Sequence, residues 1–413
     1  MMKANNTTNP ALHAAAFLLL TGFAVSLLAA PAENNSDIET IPNSRIMVVN
    51  LQTIFDASVK SNSKVFPRNI ESICWDSTGT RLFIDYQGIN QYFAIADLSS
   101  ALKGTPKVKY LTNSRDKSNT RLNNANPAFH PNGKYYVFSG QDLGINEFKR
   151  SLPGYGFCTN LCLSEIRSNI YWPLTSYVST AKLIRGAVMP QFSPDGSQLF
   201  WTACENIPTD KGIMGKRTLM LADFRFGSDA PQLENARQIA SDQLDTAFAE
   251  SYGFSPDGKT LLFAGTRKNT KEWYNMDLGT YSLEDNKTSF LTNRPETWNR
   301  YATFSATGKK ILWSCSGSYD IPYLGIGGNQ WQNEMLSEIW IMNANGRDKR
   351  QLTNFNVRGN SQYAGCKCYV GMIKCHPTRK NTFAFILHKQ HSVNSTSSSI
   401  IIAELGNSLV NGK

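Results

Sequence analysis

The sequence predicts an all-β protein, a six-bladed β-propeller of four-stranded blades closed by its own N-terminal strand. Three observations predict it. The chain of 413 residues is only 18% charged yet holds 29 Gly, 8 Trp and 16 Tyr, a composition suited to short strands and tight turns rather than exposed helices. One turn phrase recurs six times, roughly 50 to 70 residues apart. Each copy is followed by a short apolar run and, after a loop, by two further strand-like segments, which makes four strands per unit.

The phrase is an aromatic residue, turn-formers ending in Gly, then an apolar strand. It reads Trp75-Asp76-Ser77-Thr78-Gly79, Phe129-His130-Pro131-Asn132-Gly133, Phe192-Ser193-Pro194-Asp195-Gly196, Phe254-Ser255-Pro256-Asp257-Gly258 and Phe304-Ser305-Ala306-Thr307-Gly308. A sixth copy, Cys375-His376-Pro377-Thr378-Arg379, lacks the Gly. Pro presets φ at the first central position, Asp or Asn bonds its own backbone, and Gly supplies the positive φ that closes the reversal. Third strands follow at Tyr92 to Leu98, Leu161 to Ile166, Leu219 to Phe224, Gly279 to Leu283, Ile339 to Asn343 and Ile400 to Leu405. Fourth strands end in Leu-Thr-Asn at residues 111–113, 291–293 and 352–354. An unpaired last blade would expose a sheet edge, and Arg45 to Leu51 is strand-like, so it is expected to complete the C-terminal blade.

The pattern resembles the TolB-like six-bladed propeller, whose repeats carry F-S-P-D-G-K turns. Ile339-Trp340-Ile341-Met342-Asn343-Ala344-Asn345-Gly346 followed by Gln351-Leu352-Thr353 is similar to the segment that follows such a turn. The resemblance covers roughly residues 45 to 405 and implies the propeller alone, without the α/β domain that precedes it in TolB. It implies fold more than function, because this repeat also occurs in peptidase propellers and lyases.

Domain boundaries follow. Residues 1–32 read as a signal peptide, with Lys3 as the one charge, an apolar stretch from Ala11 to Ala30, and Ala30-Pro31-Ala32 as the cleavage pattern. An uncleaved anchor is the alternative, and membrane contact is expected only in that case. Residues 33–44 are a polar linker and 45–413 the propeller. The expected location is the periplasm or the exterior, as a monomer. The net charge of +10 loses only Lys3 with the leader, so the basic balance belongs to the remaining chain and favours acidic partners.

In this topology the turn phrases share one face, and the longer loops gather on the other around the channel mouth. Those loops place Asn before Arg: Asn113 with Arg115 and Arg121, Asn293 with Arg294 and Arg300, and Asn354 with Arg358. Guanidinium forks suit carboxylates, so Arg115, Arg121, Arg294, Trp298, Arg300 and Arg358 form the candidate ligand-binding set, with Tyr252 and Tyr363 nearby. The fitting partner is a protein, an acidic peptide or an acidic saccharide, and no nucleic acid is expected. Long aromatic insertions at residues 139–159 and 317–336 stand ready to cover the mouth or a blade edge.

Catalytic residues are not identified. The chain has no Gly-x-Ser-x-Gly elbow. Neither a metal site nor any cofactor is expected, because no Cys-x-x-Cys pair occurs. Cys158 and Cys162 are close enough in sequence for a local disulfide, and Cys366 or Cys368 with Cys375 is a second candidate pairing. His130, inside a turn phrase, is expected at the surface. His376, His388 and His391 echo the histidine-rich manganese site of oligouronide lyases, which makes a polysaccharide lyase the alternative to a non-enzymatic binding scaffold.

Overall fold

The structure, a computed structural model, describes residues 48–60, 70–86, 92–99, 106–111, 124–142, 153–168, 170–206, 215–239, 244–267, 275–294, 297–317, 319, 335–392 and 395–406. The chain divides into two units, residues 1–37 and 38–413, and every described residue belongs to the second. The signal-peptide and linker expectations for residues 1–44 lie outside the described residues. Among the described residues no helix is long and apolar enough to cross a membrane.

Six antiparallel four-stranded sheets form the blades. Blade 1 holds β2 (Ile70–Trp75), β3 (Arg81–Tyr86), β4 (Tyr92–Asp97) and β5 (Lys107–Leu111). Blade 2 holds β6 (Asn124–Phe129), β7 (Tyr135–Gln141), β8 (Thr159–Glu165) and β9 (Tyr171–Pro173). Blade 3 holds β10 (Ile184–Phe192), β11 (Gln198–Asn206), β12 (Lys216–Phe226) and β13 (Pro231–Gln238). Blade 4 holds β14 (Leu244–Phe254), β15 (Thr260–Arg267), β16 (Met276–Ser282) and β17 (Lys287–Phe290). Blade 5 holds β18 (Asn299–Phe304), β19 (Lys310–Cys315), β20 (Glu338–Asn343) and β21 (Arg350–Gln351). Blade 6 is built from β22 (Lys367–Cys375), β23 (Thr382–Ser392) and β24 (Ser395–Leu405), and its outer strand is β1 (Val48–Lys60).

The expected closure is therefore present. β1 lies antiparallel to β24, from Val48 opposite Leu405 to Lys60 opposite Ser395. First strands of successive blades pack on one another, and β22 packs back on β2, so the ring is complete.

Each turn phrase joins the first and second strands of its blade. At residues 255–260 the Ser255 hydroxyl donates to Asp257 Oδ1 and accepts from the Thr260 amide at 3.0 Å, while Gly258 N donates to Ser255 O at 2.9 Å. Gly258 has φ +73°, a conformation that costs a residue with a Cβ. In blades 2 and 6 a histidine takes the place of that serine. His130 is 7% exposed, which corrects the expectation of a surface residue. Its Nδ1 accepts from Asn132 N at 3.2 Å, and its ring packs edge-on against Phe192 of blade 3, so the imidazole is drawn into the joint between blades.

The core has two parts. Apolar sandwiches fill the gaps between blades, as where Leu312, Ile339 and Ile341 of blade 5 meet Val370, Phe383 and Phe385 of blade 6. A second cluster extends from the packing of blade 6 on blade 1, with Ile54, Ile400 and Leu82, to the first strands, where it includes Met189, Phe248, Tyr252, Tyr301 and Tyr369. Those strands carry register shifts, at Val188/Gln191 in β10, Ser251/Gly253 in β14 and Arg300/Thr303 in β18. Such bulges turn one side chain out of the regular alternation. Met189 and Tyr301, both with φ +56°, sit at two of them and belong to this cluster.

Candidate functional site

First strands run from the loop face to the turn face, so a residue early in β18, or early in the third strand β12, lies toward the loop mouth. Arg217 is the second residue of β12 and Arg300 the second of β18; both converge on Glu250 of β14. Phe248, Glu250 and Tyr252 alternate with Ala249 and Ser251, and Ala249 and Ser251 serve the contact with blade 3. Arg300 grips the carboxylate through both edges, Nε to Oε2 at 2.7 Å and Nη2 to Oε1 at 2.5 Å. Arg217 Nη1 donates to Oε1 at 2.6 Å, and the Tyr252 hydroxyl donates to Oε2 at 3.2 Å.

All three charged side chains are buried, with Glu250 at 0%, Arg217 at 1% and Arg300 at 4% exposure. Two guanidiniums share one carboxylate, so the cluster keeps a positive charge inside the protein. Burial alone would raise the Glu250 carboxyl; the Arg300 and Arg217 guanidiniums outweigh it and hold the acid below the usual carboxylate range. Aromatic faces take up part of the remaining cationic field. Arg217 Cζ lies 4.9 Å from the Phe248 ring centre, and Arg300 Cζ lies 4.8 Å from that of Tyr301 and 5.8 Å from that of Trp298. Arg217 Nη2 also donates to Tyr155 O at 3.2 Å, which ties a loop of blade 2 to the cluster. Its Nε is buried without a hydrogen-bond partner among the described residues.

Toward the turn face the channel is bridged by Lys374 of β22. Its Nζ donates to Gln191 Oε1 at 3.1 Å and to Tyr252 O at 3.3 Å, and its carbonyl accepts from Trp75 Nε1 at 3.0 Å. One side chain thus links blade 6 to blades 3 and 4. Burial lowers the pKa of this ammonium.

The predicted mouth residues separate into three groups. Arg115 and Arg121 lie outside the described residues, as do residues 143–152, 318 and 320–334 of the two insertions. Trp298 and Arg300 are interior, in the packed lining and the ionic cluster respectively. Arg294 and Arg358 are exposed on the loops before and after blade 5, and exposed Val357 adjoins Arg358.

Those two loops share a device that accounts for Leu-Thr-Asn. Thr292 Oγ1 accepts from Leu278 N and donates to Asp277 Oδ1 at 2.6 Å; Thr353 Oγ1 accepts from Ile339 N and donates to Glu338 Oε2 at 2.7 Å. The buried acid at the head of each third strand then receives the loop amides: Arg294 N on Asp277, and Phe355 N and Asn356 N on Glu338. A fixed carboxylate therefore anchors the loops that carry Arg294 and Arg358. Sequence reasoning missed Arg217, Glu250, Asp277, Glu338 and Lys374. Glu250, Asp277, Glu338 and Lys374 signal themselves as charges set in or heading an apolar run, whereas Arg217 follows Lys216 and carries no such mark.

The histidines are committed separately. His376 Nε2 donates to Gly79 O at 3.0 Å, and its Nδ1 accepts from Thr378 N and Arg379 N. His388 stacks on Tyr369 and bonds Ser398, while His391 bonds Ser397 at the surface. Among the described residues no three His, Cys, Asp or Glu side chains group as metal ligands. All eight cysteines are thiols. The bridge expected between Cys158 and Cys162 is absent: Cys158 precedes β8, and the extended chain from Thr159 carries Cys162 away from it. The same extension along β22 separates Cys368 from Cys375.

No protein-family model and no curated protein matches the chain. Among solved structures it is similar to a protein described as a TolB of Agrobacterium tumefaciens, at 14% identity and TM-score 0.47 over 75% of this chain and 88% of that one. It is also similar to an oligogalacturonate lyase in complex with manganese, at 9% identity and TM-score 0.45 over 89% and 100% of the two chains. A third is the propeller domain of the Trilobed protease of Pyrococcus furiosus, at 11% identity and TM-score 0.43 over 82% and 83%. At these identities the fold rests on the six sheets themselves. The chain is a six-bladed β-propeller whose turn repeats resemble those of TolB.

Proposed function

We propose that the protein is an exported, non-enzymatic binding scaffold of the periplasm or cell exterior that holds an acidic peptide or saccharide partner on its loop face. One observation carries this reading. Exposed Arg294 and Arg358 flank blade 5 on loops anchored by buried carboxylates, above an interior cluster that itself retains a positive charge. Exposed guanidiniums on fixed backbones recognise carboxylates at low ordering cost. Val357 adds an apolar contact beside Arg358. The lyase alternative has less support, since His376, His388 and His391 each serve a different local bond.

The test is capture of poly-glutamate and of oligogalacturonate by the full chain. The Arg294→Ala/Arg358→Ala pair is expected to weaken capture about tenfold or more at low salt, with the fold unchanged. Equal capture by the pair would refute the reading. Oligogalacturonate cleavage that yields a new unsaturated bond would replace it with the lyase. Sequencing the N-terminus of the secreted protein tests export, with Glu33 expected as the first residue.

A further inference from the structure

The turn face carries two neighbouring grooves that differ in charge. Between blades 4 and 5 lies a space of about 660 Å³, where Asp257 and Asp285 stand against Lys287 and Lys309. Between blades 5 and 6 lies one of about 430 Å³. Its floor is apolar, formed by Leu312, Phe383 and Leu405. Three ammonium groups line it: Lys309 from the turn of blade 5, which is shared with the first groove, Lys380 from the turn of blade 6, and Lys310 from the start of β19. Among the described residues no carboxylate lines it. Volume alone would favour the first groove as a ligand site, whereas uncompensated charge favours the second.

At the second groove the nearest acid among the described residues, Asp348, is separated from Lys310 by an amide. Lys310 Nζ donates to a neutral partner, Asn343 Oδ1, at 2.5 Å. Asn343 in turn donates its amide to Asp348, so the amide stands between ammonium and acid. The charge of Arg350 is felt at Lys310, and the Arg350 Nε is buried without a hydrogen-bond partner among the described residues. Desolvation and the Arg350 charge disfavour the Lys310 ammonium and outweigh the Asp348 carboxylate, which favours it. A partly desolvated cation with a neutral partner gains when an anion arrives. The exposed rim lysines would draw that anion in, and the apolar floor would cover a hydrophobic body.

We propose that the groove between blades 5 and 6 binds an amphiphilic carboxylate, with the carboxylate among Lys309, Lys310 and Lys380 and an apolar body on the floor. The free C-terminus of a peptide ending in a large apolar residue and a free medium-chain fatty acid are two sources of that chemistry. This site is independent of the loop-face reading.

The experiment is fluorescence anisotropy of the full chain with fluorescein-labelled Gly-Gly-Phe as the free acid, the same peptide as its C-terminal amide, and octanoate as competitor. Saturable binding of the acid, at least tenfold weaker binding of the amide, and displacement by octanoate support the proposal. If octanoate binds by calorimetry while the peptide acid does not, the site is assigned to free acids. The Lys309→Gln/Lys380→Gln pair, both residues being exposed, should weaken binding about tenfold with an unchanged melting temperature, and Lys310→Met should do the same or more. The Arg294→Ala/Arg358→Ala protein should bind as the parent does. Equal binding of acid and amide, no binding of either carboxylate, or full binding by the Gln pair would overturn the proposal.

Discussion

Two joints of the ring solve the same problem with opposite chemistry. Blades 3, 4 and 5 are tied at the loop face by Arg217, Glu250 and Arg300, three charges taken out of water. Blades 6 and 1 are tied at the turn face by a neutral imidazole, His376 on Gly79 O, with β1 laid along β24 as the outer seam. The ionic joint is strong only while all its partners are present, since removal of one leaves a buried charge uncompensated. The neutral joint carries no such hazard and instead depends on pH. The lesson is that the loop-face joint is specified by composition, and the closing joint by protonation and by backbone pairing.

The largest effect is expected where the ionic joint loses Glu250, its one anion among the described residues. Glu250→Gln should leave two buried guanidiniums facing a neutral amide and lower stability by about 3–5 kcal/mol in urea unfolding. Arg217→Met should cost less, because it leaves a matched Arg300–Glu250 pair. If Arg217→Met proves the more damaging, surplus charge is not what governs this joint. Next comes the seam: Ile54, 8% exposed on β1, is buried in the same apolar cluster as Ile400 and Leu82, and Ile54→Ala should cost about 2–4 kcal/mol in the same assay.

A smaller and pH-dependent effect is expected at the histidine joints. Desolvation lowers the pKa of both His130 and His376 in the folded state, with the Arg379 charge adding to it at His376. A depressed folded pKa means that the unfolded chain binds protons first as pH falls. The stabilisation is therefore complete above the unfolded value near 6.5 and declines below it as pH drops toward the folded value. The melting temperature should fall between about pH 6.5 and 5, and His130→Ser/His376→Ser, which installs the residue used by blades 3, 4 and 5, should flatten that fall. An identical pH profile in the double variant would remove the imidazoles from the account. The smallest change in stability, within about 0.5 kcal/mol, belongs to Arg294→Ala/Arg358→Ala, measured by urea unfolding alongside its loss of acidic-ligand capture.

The fold was legible because its signals are local. Five Gly-bearing phrases and one degenerate copy each mark a reversal within about five residues, and hairpin closure needs nothing from elsewhere. Even the seam could be argued, since an edge strand must be covered and one strand was left over. The site was less legible because its chemistry is non-local. Arg300 reads as a mouth residue by its spacing from Asn293, but its position is decided by Glu250, fifty residues earlier on the neighbouring blade. Burial of His130 and His376 was hidden likewise, because the next blade supplies the cover. The Cys158–Cys162 pairing failed on a local fact, the extended chain of β8, that sequence proximity does not convey.

The seam has a kinetic consequence. β1 is synthesised before any blade, and its partner β24 only after all the others, so their contact closes nearly the longest loop available to this chain. Contacts of such sequence separation form late, after the entropy of loop closure has been met by the rest of the fold. Until then β24 and β1 each present an open row of amides and carbonyls. The final docking of β1 is thus the step that covers β24 and gives blade 6 the same four-stranded form as the other blades.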